Sequence, residues 1–388
     1  MHEIASRFTQ SVITQISDLG NGLINDTFLI DTVSGRFVLQ RINSRVFAEP
    51  KLIMTNLTEL NTYITQQAES DLKLRIPAIV KTISGQSYYQ DARGEIWRAL
   101  QYLENTMSFE TVEDIKQAEQ AGFALGYFHR LAGGLSVDRL HDTLPGFHIA
   151  PAYLRQYQQV RQKAAIQDSS EVRYCADYIE RRQALPEVLE EAKKRGVLAE
   201  RVIHGDPKLN NFLFDRDTHR VISLIDLDTV KPGLVHYDIG DCIRSLCHIE
   251  SSDDFDTAIC EAVLTHYLTE TRAFFTEHDY FYLYPAIRLI PFELGLRFFT
   301  DYLSGNVYFK VSEPEQNLRR AVAQFRFCES IERRKTAIEK IIKKLAPTLR
   351  YHKRQLSAHS MVHLPLYEKQ HRFRGGCGCS TDRRRRQG

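Results

Sequence analysis

The sequence predicts an α+β fold in two lobes, a small antiparallel sheet with one helix and then a larger, mainly helical part. Three observations carry this. Period-two alternation runs from Ser11 to Gln40, helical apolar stripes take over beyond Glu104, and 388 residues are more than one apolar core ordinarily serves.

The first strands form a meander, VITQISDLGNGLIND leading into the alternating TFLID and then, across a turn at Ser34-Gly35, into RFVLQ. Behind Pro50, a residue suited to a first helical turn, Leu52, Ile53, Leu57, Leu60 and Ile64 share one face of a helix over Lys51 to Gln67 that should pack on the sheet. YYQD and EIWRALQYL pair across Asp91-Ala92-Arg93-Gly94. Helical patterns then cover Ile115 to Leu131, Ala152 to Gln167, Arg173 to Arg195, Ser252 to Glu277 and Tyr280 to Leu303. The one clear strand pair among them is FLFD with RVISLID, and an amphipathic helix over Ile331 to Leu345 is ended by Pro347. The end beyond it holds Cys377, Cys379 and Arg383 to Arg386 and reads as a basic, flexible tail, whose arginines could bind acidic surfaces but at a flexible end are more often solvated charge. Expected boundaries are 1–103 for an N-terminal nucleotide-binding lobe, 104–346 for a catalytic and substrate lobe, and 347–388 for the tail.

Composition narrows the function. At 43% hydrophobic and 26% charged residues the chain is an ordinary globular one, and 51 Lys plus Arg against 49 Asp plus Glu make no electrostatic case for a nucleic-acid partner. No window approaches the roughly 18 apolar residues of a membrane span, and MHEIASRFTQ lacks a signal peptide's layout, so a cytoplasmic protein is expected. Cys175, Cys242, Cys247, Cys260 and Cys328 fall in apolar or helical sequence and read as reduced, buried thiols.

The chemistry concentrates in VIHGDPKLNNFLF, Val202 to Phe214, followed by Leu224-Ile225-Asp226-Leu227-Asp228. Phosphoryl transfer needs a carboxylate to accept a hydrogen bond from the attacking hydroxyl, and hard oxygen ligands to hold Mg2+ across nucleotide phosphates. Asp206 suits the first task. Asn211 begins the strand pair and Asp226 ends it, so a hairpin brings both to one end, where they suit the second. Asp228 reads equally as a further metal ligand or a strand-end cap, and His204 as a loop brace. Upstream, Gly20 and Gly22 lie between strands and would let backbone approach phosphate oxygens, with Asn25 and Thr27 adding donors.

HGD with Asn five residues on, then IDLD and Tyr237-Asp238-Ile239-Gly240-Asp241, resembles the signature of aminoglycoside phosphotransferases, choline kinases and homoserine kinases. The resemblance implies a bilobal protein-kinase-like fold and ATP as co-substrate, with adenine meeting backbone near Gln101 to Thr106. One departure stands out. Gln40 occupies the strand position where such folds present a lysine to the phosphates, while the adjacent Arg41 should point to the other sheet face. Either Arg41 reaches round to contact the nucleotide, a neighbouring basic residue substitutes, or Mg2+ carries most of the phosphate charge. Glu59 on the following helix is a candidate partner or equally a solvent-exposed residue. Within the superfamily, GLINDTF, FVLQRIN, IDLDTVKPGL and LRFFTDYL look like N-acetylhexosamine 1-kinases, over nearly the whole chain to about Pro347. That likeness implies a sugar substrate phosphorylated at its anomeric hydroxyl, with Arg297 and Tyr308 contacting the sugar and Asp206 facing O1, in a monomer or weak homodimer.

Other readings stay open on sequence. Phe298, Phe299, Tyr302 and Tyr308 could cage choline, although helical spacing favours core packing for at least half of them. Between Phe281 and Lys310, Glu293 and Asp301 stand against Arg288, Arg297 and Lys310, too few carboxylates for a polycationic antibiotic. Gln40 leaves room for a nucleotide-binding pseudokinase, and His204, His219 and His236 beside Asp206 and Asp226 for a metal-dependent phosphohydrolase.

Overall fold

The computed structural model describes residues 1–20, 24–67, 74–164 and 169–347; Gly22, the two tail cysteines and the Arg383 to Arg386 run lie outside the described residues. Residues 1–347 form one compact unit. A short helix α1 (His2–Ala5) precedes strands β1 (Ile13–Asp18), β2 (Asp26–Thr32) and β3 (Gly35–Ile42), helix α2 (Pro50–Gln66), and strands β4 (Ile79–Val80), β5 (Tyr89–Gln90) and β6 (Ile96–Gln101). All pairs are antiparallel, in the order β1-β2-β3-β6-β4 with β5 also on β6. Two registers matter for the site: Thr27 faces Gln40 across β2 and β3, and Gln40 faces Arg98 across β3 and β6.

The sheet packs Ile30, Phe37, Leu39, Trp97 and Ala99 with Ala5 and Phe8 into a small core. α2 does not simply cover the sheet, as its stripe suggested. Ile53, Leu57, Leu60 and Ile64 join one apolar cluster with Ile42 and Ile96 and with Leu125, Phe128 and Leu264 from the helical part. Asn56 fixes that junction: its Nδ2 donates to His141 O at 2.8 Å and Val230 O at 2.9 Å, and its Oδ1 accepts His141 N–H at 2.9 Å. A buried amide with its donors and acceptor satisfied across two parts of a chain sets their geometry more than their stability.

Strand β7 (Thr106–Met107) leads into helices α3 (Ile115–Ala132), α4 (Ala150–Lys163), α5 (Ser170–Glu180) and α6 (Glu187–Lys194). The single helix expected over Arg173 to Arg195 is thus two. Pro186 offers no N–H to the preceding turn and disfavours helical backbone at Leu185, so the chain turns there. Strands β8 (Arg201–Ile203), β9 (Phe212–Asp215), β10 (Val221–Leu224) and β11 (Lys231–Gly233) then bracket the motif region, followed by α7 (Val235–Cys247), α8 (Thr257–Thr271), α9 (Glu277–Leu303), α10 (Gln316–Arg333) and α11 (Lys335–Leu345).

α8 starts later than its pattern, because Ser252 and Asp253 belong to a small hairpin and Asp256 caps the helix, accepting the N–H of Ala258 and Ile259 at 2.8 and 3.0 Å. The helix expected to begin at Ile331 is likewise α10 continuing from Gln316, with α11 starting anew after Arg334. α9 opens on a capping box, Thr276 with Asp279, and runs on through Pro285 and Pro291. α3 and α8 touch so closely at Gly122 that a Cβ there would lie 2.3 Å from Val263 O. The five cysteines expected to be reduced are free and buried. No helix among the described residues is long and apolar enough to cross a membrane.

Candidate active site

β9 and β10 form the predicted hairpin. Phe212 pairs with Leu224, and Ile225 N–H donates to Asn211 O at 2.9 Å, so Asn211 and Asp226 sit side by side at its open end. Asp226 takes a left-handed backbone conformation (φ 61°), which an aspartate tolerates better than most residues but which still stores strain. Facing the hairpin is the Gly205-Asp206 loop. Gly205 is required there twice over, by a φ of 89° and by a backbone approach that would put a Cβ 2.6 Å from Thr229 O.

Three buried groups hold that loop. Asp238, the aspartate of the YDIGD run, accepts the N–H of His204 at 2.7 Å and of Gly205 at 2.8 Å, together with His129 Nε2 at 2.8 Å. Burial opposes its charge, but these donors keep its pKa below the usual carboxylate range. His204 lies between two backbone groups: Nε2 is 3.0 Å from Ile225 O, and Nδ1 accepts Asp206 N–H at 3.3 Å. Those partners define the neutral Nε2–H tautomer, in keeping with a pKa lowered by burial. His148 donates from Nε2 to Gly205 O at 2.8 Å and faces Glu293 Oε1 with Nδ1 at 3.2 Å. Burial would lower its pKa, but the Glu293 carboxylate outweighs that and raises it.

The Asp206 carboxylate is about one quarter exposed and forms a 2.8 Å ion pair with Lys208 Nζ. Asn211 Nδ2 donates to Asp206 O at 2.7 Å, which turns Asn211 Oδ1 outward as an acceptor. Asp226 has no hydrogen-bond or ion-pair partner among the described residues. Although its outer edge is exposed, the protein packed around it and then the Asp228 and Asp206 charges push its pKa up to about 7. Among the described residues no three His, Cys, Asp or Glu side chains gather to hold a metal alone. An amide oxygen and a carboxylate beside an excess of negative charge fit Mg2+ instead, which keeps waters and phosphate oxygens in most of its positions.

Other expected residues fall elsewhere. Both Asp228 oxygens are turned to the sheet region, Oδ2 accepting Asn25 Nδ2 at 2.7 Å and Oδ1 lying 2.5 Å from Arg98 Nη2. Thr27 Oγ1 accepts Gln40 Nε2 at 3.0 Å, and Asn25 Oδ1 accepts Asn43 N–H at 3.0 Å. Asn25 and Thr27 thus brace the strand entry, Thr27 as an acceptor whose own O–H is not spent in this bond. Arg41 is corrected as a nucleotide contact: strand alternation turns it to the other face, where it pairs with Asp26. Glu59 pairs with Arg139 instead of with a sheet cation. Gly20 takes the left-handed backbone conformation (φ 73°) that favours glycine. His236 Nε2 lies 2.9 Å from Asp279 O, away from the hairpin, so the histidine-rich metal site of a phosphohydrolase is not assembled.

Arg297, on α9, is enclosed by aromatic rings: its guanidinium carbon lies 5.2 Å from Phe147, 5.1 Å from Tyr153, 5.9 Å from Tyr308 and 5.5 Å from Phe309 ring centres. One turn earlier on the same helix is Glu293, which reaches the catalytic loop through His148. Asp301 anchors the Tyr308 segment, accepting the N–H of Val307, Tyr308 and Phe309 and the amide of Asn317 at 2.8 to 2.9 Å. Lys208, Arg98, His148 and Asp238 had no individual role from sequence. Only Lys208 was findable there, as the one cation within two residues of Asp206.

The model of the Phosphotransferase enzyme family (APH) matches residues 15–275. Similar solved structures include an aminoglycoside phosphotransferase from Alicyclobacillus acidocaldarius, with TM-score 0.64 and 16% identity over 89% of this chain and 97% of that one. A microcompartment-associated aminopropanol kinase has TM-score 0.59 and 16% identity over 87% and 99% of the two chains. An amicoumacin kinase in complex with AMP-PNP, Ca2+ and Ami has TM-score 0.54 and 14% identity over 86% and 96%. At such identities the structures establish a shared kinase-like fold. The family match spans more than half of the chain and takes in the sheet, the Asp206 loop and the Asn211–Asp226 hairpin, and on that ground this chain belongs to the phosphotransferase enzyme family.

Proposed function

We propose that the protein is an ATP- and Mg2+-dependent kinase that phosphorylates the anomeric hydroxyl of an N-acetylhexosamine, with residues 1–103 acting as the nucleotide lobe. The observation that carries the substrate is the Arg297 enclosure. Of the four rings that could cage a quaternary ammonium, Tyr308 already lies beside Arg297 and Phe298 beside Arg320, and Phe299 is buried in the core. Choline or a polycationic antibiotic would meet repulsion there, while Asp301 is spent on backbone N–H groups. A neutral amido sugar can offer its acetyl carbonyl to a guanidinium and its ring face to Tyr308, which is 55% exposed.

In the proposed reaction the sugar O1–H donates to Asp206 as O1 forms a bond to the γ-phosphorus. The bond from that phosphorus to the β,γ-bridging oxygen breaks, giving sugar 1-phosphate and ADP, and the hydroxyl proton leaves through Asp206. Lys208, paired with Asp206, lies where it would offset charge on the transferred group. Mg2+, held by Asn211 Oδ1 and Asp226, would neutralise the phosphates when bound. His204, Asp238 and His148 hold the Asp206 backbone, so little reorganisation is needed at the moment of reaction. The test is ADP release with N-acetylglucosamine, N-acetylgalactosamine, free hexoses, choline, homoserine and kanamycin. Turnover confined to the acetamido sugars is expected; turnover with choline or kanamycin alone would overturn the substrate reading.

A further inference from the structure

We propose that Arg98 is the phosphate-binding cation of this enzyme, standing in for the lysine that β3 lacks, with Asp228 as its counter-charge from the helical part. This rests on the nucleotide-binding reading above. Gln40 and Arg98 are cross-strand partners, so their side chains share one sheet face about 5 Å apart. Moving the cation from one member of such a pair to the other leaves it over the same surface.

Gln40 orients it. Gln40 Oε1 accepts Arg98 Nε at 2.9 Å while Gln40 Nε2 is held by Thr27. A neutral amide in this place offsets no phosphate charge but fixes the plane of the guanidinium beside it. The same guanidinium lies against Asp228, two residues beyond the Asp226 expected to hold Mg2+, and Asp228 also takes the amide of Asn25 next to the glycine turn. Arg98 and Asn25 therefore meet at Asp228, on the loop that also carries Asp226, so that phosphates bound to an ion at Asp226 would approach from beside the guanidinium.

Two details favour a ligand role over a plain structural tie. Arg98 is 1% exposed, yet its Nη1 has no hydrogen-bond partner among the described residues. The contact to Asp228 is short but not aligned as a hydrogen bond, leaving Asp228 Oδ1 without a well-directed donor. A buried guanidinium with an unfilled donor binds an anionic oxygen readily, and a phosphate takes two such donors at once. Glu59 does not compete for this role, being paired with Arg139.

The experiment measures binding of Mg-ATP, Mg-ADP and adenosine by calorimetry, with thermal unfolding as the check of folding. Three proteins are compared: the wild type; Arg98→Gln with Asp228→Asn, which removes both buried charges together; and Arg98→Gln, Asp228→Asn with Gln40→Lys, which returns a cation to β3. The neutral pair should weaken ATP and ADP at least about tenfold, the scale of one charged hydrogen bond, with adenosine changed less than about twofold. Adding Gln40→Lys should recover part of the lost phosphate affinity. Equal losses for adenosine and ATP, no loss for either, or no recovery with Gln40→Lys would overturn the assignment and leave Arg98 as a tie to Asp228. A wild type that binds adenosine but gains nothing from phosphates would also overturn it. A wild type that binds none of the three would instead overturn the kinase reading itself.

Discussion

Asp206 has Lys208 at 2.8 Å on one side and a backbone fixed by His204 on the other. In the proposed reaction its task is to orient and receive a proton, so Asp206→Asn should lower kcat at least roughly a hundredfold while calorimetric nucleotide affinity stays near the wild-type value. Asp226→Ala should instead raise the Mg2+ concentration needed for half-maximal ADP release, since it removes a carboxylate beside Asn211 whose oxygens have no partner among the described residues. His148 adds a pH dependence. Its folded pKa is raised by Glu293, beside the Asp241 carboxylate and stacked on Tyr237. The stabilising contribution is therefore complete below the unfolded value of about 6.5 and is lost as pH rises through the higher folded value. The stability gap between wild type and His148→Gln, measured by denaturant unfolding across pH, should be widest in acid and narrow toward alkaline pH. Asp206, Asn211 and Asp226 were legible in the sequence because hairpin geometry converts their spacing into adjacency. His148 and Glu293 were not, since 145 residues separate them and only the packing of α9 brings them together.

At the level of elements, periodicity located the meander, α2, α3 and α9, because each buries a stripe or face of its own. It failed where local chemistry cuts a stripe, at Pro186, and at the Asp256 cap. It also missed α7, which is buried nearly all round and so shows no polar face to set a period. The segment after α9 depends on one side chain. Asp301→Ala would leave three backbone N–H groups without an acceptor and free Tyr308 from its place beside Arg297. The expected result is a raised KM for the sugar with little change in KM for ATP. An equal rise in both would place the Tyr308 segment outside the sugar site.

For the molecule as a whole, the core running from α2 into α3 and α8 makes residues 1–347 one compact unit. A protein ended after Pro347 should therefore keep its thermal midpoint within about 2 °C, the scale of a single ordinary stabilising contact in a chain of this size, and keep its kinetic constants. A large fall in either would assign the Gly- and Arg-rich end a part in folding or turnover. The division into a sheet region and a helical region was readable from the change of period near Glu104, but the buried ties across it, Asn56 and the Arg98–Asp228 pair, were not. Asn56 reaches His141 and Val230, 85 and 174 positions on, and Arg98 and Asp228 are likewise remote in sequence, and neither tie has a local signature. The facing of Gln40 and Arg98 bears on how such proteins are told active or inactive. A rule that inspects the third strand for lysine alone would score this chain as lacking a phosphate cation. With Arg98 in the proposed role, a rule written for positive charge on either of two facing positions would retain it.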